Sequence, residues 1–99
     1  MGFIQVIQHR TSKIDEMRKV ADQAQASSDD TSTVQRAIVC EDRDNPGQYF
    51  VLVFFDSYEA AMQNSKLPST QEMSQKMMAL SDGPPTFYNL DIIDDQTRT

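Results

Sequence analysis

The sequence predicts an α+β domain in which a four-stranded antiparallel sheet carries its helices on one face, in the order β-α-β-β-α-β. Three observations lead there. Short apolar runs alternate with two longer stretches of helical periodicity. A dense cluster of turn formers, Asp42-Arg43-Asp44-Asn45-Pro46-Gly47-Gln48, separates the two middle strands. The run from Tyr49 to Phe55 is apolar on both of its faces. With 99 residues the chain is expected to be one domain spanning 1–99, near the lower end of what a lone core supports.

Phe3 to His9 is rich in β-branched and aromatic residues and is short enough for a strand. A helix follows at once. Thr11 or Ser12 can cap it, and Asp15 and Glu16 fall in the first turn, where the helix dipole favours negative charge. Ile14, Met17, Val20, Ala21 and Ala24 recur at helical spacing, which leaves Lys13, Glu16, Lys19 and Gln23 for water, and the helix should end near Ala26. The polar stretch Ser27 to Ser32 competes for backbone hydrogen bonds and reads as a loop.

The second strand is expected from Thr33 to Glu41, and Pro46-Gly47 supplies a fixed φ followed by a permissive residue for the hairpin into the third. Asp56-Ser57 offers a cap for the second helix. Pro68 cannot donate a backbone hydrogen bond and disfavours helix at Leu67, so this helix should break between Lys66 and Pro68 and restart around Ser69. In its second half Met73, Met77 and Leu80 share one face. Ser81-Asp82-Gly83-Pro84-Pro85 stops it, Thr86 to Ile93 makes the last strand, and 94–99 is a frayed tail.

Two strand-helix-strand crossovers flank one hairpin, and right-handed crossovers place both helices on the same face of the sheet, which is the ferredoxin-like arrangement. A monomer of this kind needs a polar second face. Here Tyr49, Val51, Val53 and Phe55 alternate with Phe50, Leu52 and Phe54, so both sides of the third strand ask to be buried. The most economical cover is a second copy of the chain, and a homodimer is expected.

The formal charge of −6 argues against nucleic acid, since phosphate binding needs clustered Lys and Arg. The acidic surplus is dispersed and reads as solubility. No segment approaches the roughly 20 apolar residues that span a bilayer, so no membrane partner is expected. Cys40 excludes an intramolecular disulfide, fits a reducing cytoplasm, and sits in the apolar run Ala37 to Cys40, where a buried inert thiol is expected. No His, Cys and carboxylate cluster has metal-ligand spacing and no Gly-rich loop could cradle phosphate, so no metal or nucleotide cofactor is predicted.

Four features carry a family resemblance. They are the hairpin Asp42 to Tyr49, the strand-to-helix turn Phe55-Asp56-Ser57-Tyr58-Glu59-Ala60, the mid-helix break Asn64-Ser65-Lys66-Leu67-Pro68, and the exit Gly83-Pro84-Pro85. In this order and spacing, over Phe3 to Ile93, the chain resembles the antibiotic-biosynthesis-monooxygenase-like (ABM-like) members of the dimeric α/β-barrel superfamily. The resemblance implies an aromatic substrate held between helices and sheet, and for some members oxidation of phenolic polyketide intermediates without metal or flavin. The haem-degrading branch is marked by a tryptophan at the end of the third strand and a histidine from the second helix region. Phe54-Phe55 and Asn64 stand there instead, which argues against haem degradation.

His9, the single histidine, is the candidate base, because imidazole titrates near pH 6.5; a structural histidine at a strand end is the plainer alternative. Asn64 can orient a substrate carbonyl or dioxygen, or cap the helix break. Tyr88 alternates with Leu90 and Ile92, so its ring is expected to be buried, with the hydroxyl facing a ligand or a backbone partner. Phe54, Met73, Met77 and Tyr88 are the candidate walls of an aromatic pocket, although methionines at helical spacing also serve ordinary core packing. Arg36 can pair with an acidic ligand or across a dimer interface. Two functions follow: a cofactor-independent monooxygenase acting on an aromatic or polyketide-like small molecule, or a non-catalytic dimeric module that binds a small hydrophobic ligand or another protein.

Overall fold

The structure, a computed structural model, describes residues 2–27 and 33–97. Seven elements follow in order: β1 (Phe3–Arg10), α1 (Ile14–Ser27), β2 (Arg36–Glu41), β3 (Gln48–Phe55), α2 (Tyr58–Ser65), α3 (Pro68–Leu80) and β4 (Thr86–Asp91). All strand pairs are antiparallel and the sheet order is β2-β3-β1-β4, the ferredoxin-like order expected from the two crossovers. Residues 28–32 of the expected polar loop, and 98–99 of the expected tail, lie outside the described residues.

The helix break falls where Pro68 requires it. Lys66 and Leu67 donate their backbone N–H groups to Gln63 and Asn64 and close α2, and Pro68 opens α3 at a position whose N–H would have no helical partner. Ser57 caps α2 by accepting from the N–H of Ala60 at 3.1 Å. In the β2–β3 hairpin Gly47 has φ +91°, a conformation that suits glycine.

Two strands are shorter than the sequence suggests. β2 begins at Arg36 rather than Thr33 because Thr33 is engaged by α2: its hydroxyl donates to the carbonyl of Ala60 at 2.6 Å and its N–H to Oδ1 of Asn64 at 3.3 Å. β4 ends at Asp91; one further bond, from the N–H of Ile92 to the carbonyl of Gly2, closes the pairing before Ile93 turns into solvent.

Strand alternation sorts the side chains onto two faces. The Phe3–Tyr58 and Phe3–Phe55 ring contacts and the cluster Phe3, Phe55 and Ala61 identify the helix-covered face, shared by Phe3, Gln5, Ile7 and His9 of β1 and by Tyr49, Val51, Val53 and Phe55 of β3. On the outer face the register aligns Ile38, Leu52, Val6 and Tyr88 in one row, and Arg36, Phe54, Ile4 and Leu90 in the next. No residue of that face is fully buried within the chain.

This corrects two expectations. Tyr88 is 44% exposed, because it sits on an edge strand and on the uncovered face, where its hydroxyl donates to Oε1 of Gln8 at 3.1 Å. Cys40 is exposed rather than buried, since it points the same way from the other edge strand.

Candidate functional site in the helix-sheet layer

The buried residues of the helix-covered side fall into two groups, one at each end of the central strands. At the first end Phe3, Phe55 and Ala61 pack together beside buried Asn64. At the other end His9, Thr11 and Tyr49 are buried, and Met17 in the first turn of α1 is buried as well. Between the two groups Gln5, Ile7 and Val51 face the helices yet stay half-buried, although they belong to the two central strands.

The helices mirror this. α3 has no fully buried residue; its inward stripe, Thr70, Met73, Met77 and Leu80, is half-buried throughout. Close-packed interiors leave little accessible surface on central strands. The middle of this layer is therefore more accessible than its two ends. Polarisable methionine thioethers are suited to the edge of an aromatic ring. Gln5 adds an amide to an otherwise apolar strip. It escaped notice in the sequence, although the alternation Phe3, Gln5, Ile7, His9 places it on the same face as the two residues that bound the layer.

His9 closes one end. Its ring stacks on Tyr49 with centroids 5.8 Å apart and planes 24° from parallel. Its Nδ1 is buried without a hydrogen-bond partner among the described residues, and burial lowers the imidazole pKa below its ordinary value, so the ring is neutral at neutral pH. Tyr49 is pushed the other way, its phenol pKa raised by desolvation, then by its hydrogen bond to Glu41 and by the charges of Glu41 and Asp15.

The structure does not bring the sequence-predicted residues together at one point. Asn64 belongs to the Phe3 end and ties α2 to the segment before β2 through Thr33. His9 lies six residues beyond Phe3 along β1, a span of about 20 Å at roughly 3.3 Å per residue. Met73 and Met77 lie on the inward stripe of α3. Phe54 and Tyr88 are on the outer face, where the Arg36 guanidinium sits over the Phe54 ring at 5.8 Å.

Two open clefts lie elsewhere, at opposite ends of the sheet. One of about 280 Å³ adjoins His9 and Arg10, and one of about 440 Å³ adjoins Phe54, Phe55 and Asp56. Among the described residues no group of three or more His, Cys, Asp or Glu is placed to hold a metal ion, and no helix is long and apolar enough to cross a membrane.

The sequence matches no protein-family model and no curated protein. Solved structures do match over nearly the whole chain. SnoaB, a cofactor-independent oxygenase from Streptomyces nogalater solved as an asparagine-to-alanine variant, superposes with a TM-score of 0.81 at 13% identity, covering 98% of each chain. A candidate antibiotic biosynthesis monooxygenase from Caulobacter crescentus gives 0.79 at 18% identity, covering 94% of this chain and 91% of its own. A conserved protein from Methanosarcina mazei gives 0.78 at 11% identity, with 91% of each chain covered. Strand order, the broken second helix and the full-length superpositions agree, and the chain has the fold of the ABM-like proteins.

Proposed function

We propose that this protein is a cofactor-independent monooxygenase that oxidises an aromatic, polyketide-like small molecule held between its helices and its sheet, and that it works as a homodimer. The observation that carries the first part is the accessible middle of the helix-sheet layer, where Gln5, Ile7 and Val51 of the central strands and Met73 and Met77 of α3 all stay half-buried. Relatives in fold include an oxygenase named as cofactor-independent.

The chemistry asks little of the protein. An anthrone or hydroquinone loses a proton to a base, and the resulting anion passes an electron to dioxygen. Recombination makes the new C–O bond; for an anthrone the methylene becomes a carbonyl as water leaves. The protein contributes orientation, exclusion of water and a proton acceptor. Neutral His9 is in the protonation state that a base requires, at the end of the layer next to Ile7. His9 and Asn64 belong to different buried groups, and of the two His9 is the residue proposed for the proton. Met73 and Met77 are proposed as wall.

The homodimer rests on the outer face. Ile4, Val6, Ile38, Phe50, Leu52, Phe54, Tyr88 and Leu90 form an apolar surface that no helix of the described chain covers, and a self-complementary two-fold contact would bury it. On this reading Phe54 and Tyr88 meet the second copy rather than the substrate.

A second reading, a binding module without turnover, is favoured by the scarcity of titratable groups on the central strip, where the polar side chain is the uncharged Gln5. Oxygen uptake with a panel of anthrones and hydroquinones separates the two. Turnover that falls in His9→Ala and survives in Asn64→Ala supports the oxygenase; ligand retention without oxygen consumption supports the binding module.

A further inference from the structure

We propose that the cleft at the Arg10 end of β1 is a second binding site, for a small monocarboxylate, distinct from the helix-sheet layer. Three distant pieces of chain meet there and are pinned by backbone hydrogen bonds. The N–H of Thr11 donates to the carbonyl of Gly47 in the hairpin at 3.1 Å, and the N–H of Asp82, just past α3, donates to the carbonyl of Arg10 at 2.8 Å. Between these pins lies a cleft of about 280 Å³, large enough for a benzoate-sized molecule.

Its wall carries polar side chains from paired positions, of which Gln48 already donates its amide to Asp42 at 3.4 Å. Arg10 lies opposite Gln48 and Gln8 lies opposite Thr86 in the strand register, and all four line the cleft. The guanidinium of Arg10 is held by a hydrogen bond from Nη1 to Oε1 of Gln48 at 3.2 Å, and no carboxylate of the described residues forms an ion pair with it. A guanidinium fixed by an amide keeps further N–H groups in a plane that matches a carboxylate. His9, between Gln8 and Arg10 on β1, also lines the cleft.

The single acidic side chain of the wall sets the class of anion. Asp82 also lines the cleft, and its negative charge disfavours a multiply charged anion such as phosphate more than a monocarboxylate. Gln8, Arg10, Gln48 and Thr86 sit on the outer face of the sheet, in its last two rows, at the edge of the surface proposed for the second copy.

Titration of the isotope-labelled full chain with sodium benzoate, followed by amide NMR shifts, tests the site, with benzamide as the uncharged isostere and inorganic phosphate as the competing anion. Saturable shifts at Arg10, Gly83 and Thr86 with benzoate, and none with benzamide, are expected. Arg10→Gln, which keeps an amide for Gln48 but loses the charge, should weaken benzoate binding by about tenfold or more, and Arg10→Lys should restore part of it. An absent or non-saturating response, equal shifts with benzamide, stronger binding of phosphate, an unchanged affinity in Arg10→Gln, or shifts centred on Ile7 and Met77 would each overturn the proposal.

Discussion

The imidazole of His9 and the ring of Tyr49 stack 5.8 Å apart in directly paired positions of β1 and β3, so the chain's single histidine is buried by its strand neighbour. Desolvation there lowers the pKa of His9. The unfolded chain then takes up a proton near pH 6.5 while the folded chain resists it, so stability is complete above that value and declines as pH falls from about 6.5 through the lower folded pKa. Urea melts of the native protein across pH 5 to 8 should show this decline, and His9→Gln should flatten it. A decline of the same size in the variant would place its origin elsewhere.

Thr11 is 3% exposed and its hydroxyl serves two partners, donating to the carbonyl of Leu80 at 2.7 Å and accepting from the N–H of Lys13 at 2.9 Å. Thr11→Val keeps the shape and leaves both groups without that partner, which should cost about 1–3 kcal/mol. Thr11→Ser, which retains the oxygen, should cost less. Chemical denaturation of the two variants checks the order.

Gly47 holds φ +91° at the tip of the β2–β3 hairpin. An added Cβ meets no atom closer than 3.9 Å, so Gly47→Ala reports backbone conformation rather than crowding. A loss of about 1–2 kcal/mol is expected in an equilibrium melt.

Leu52 stands in the middle of the outer face between Ile38 and Val6. Light scattering should find the native chain dimeric at micromolar concentration and Leu52→Glu monomeric, with far-UV circular dichroism retained because the helix-covered face is untouched. A native monomer would remove the homodimer, and a dimeric Leu52→Glu would place the contact on another surface.

Much of the fold was legible in local chemistry. Pro46-Gly47 located the hairpin, Ser57 the cap of α2, and Pro68 the break between α2 and α3, because each acts through its own backbone within a few residues. What the sequence hid was set by distant partners. The start of β2 is decided by Thr33 bonding to α2, a contact between residues 27 and 31 positions apart. Alternation showed that Tyr88 shares a face with Leu90, yet not whether that face was covered, so its exposure was invisible. That His9 and Phe3 bound opposite ends of the layer follows only from β1 pairing along its whole length with β3.

The corner at Arg10 and Thr11 depends on Gly47, Leu80 and Asp82, which the ribosome delivers much later. The first strand-helix turn therefore stays unfinished until residues 80–82 have been made. Truncations that remove the chain from Leu80 onward should leave a nascent species that chaperones recognise, since the earliest-made segment waits for the latest.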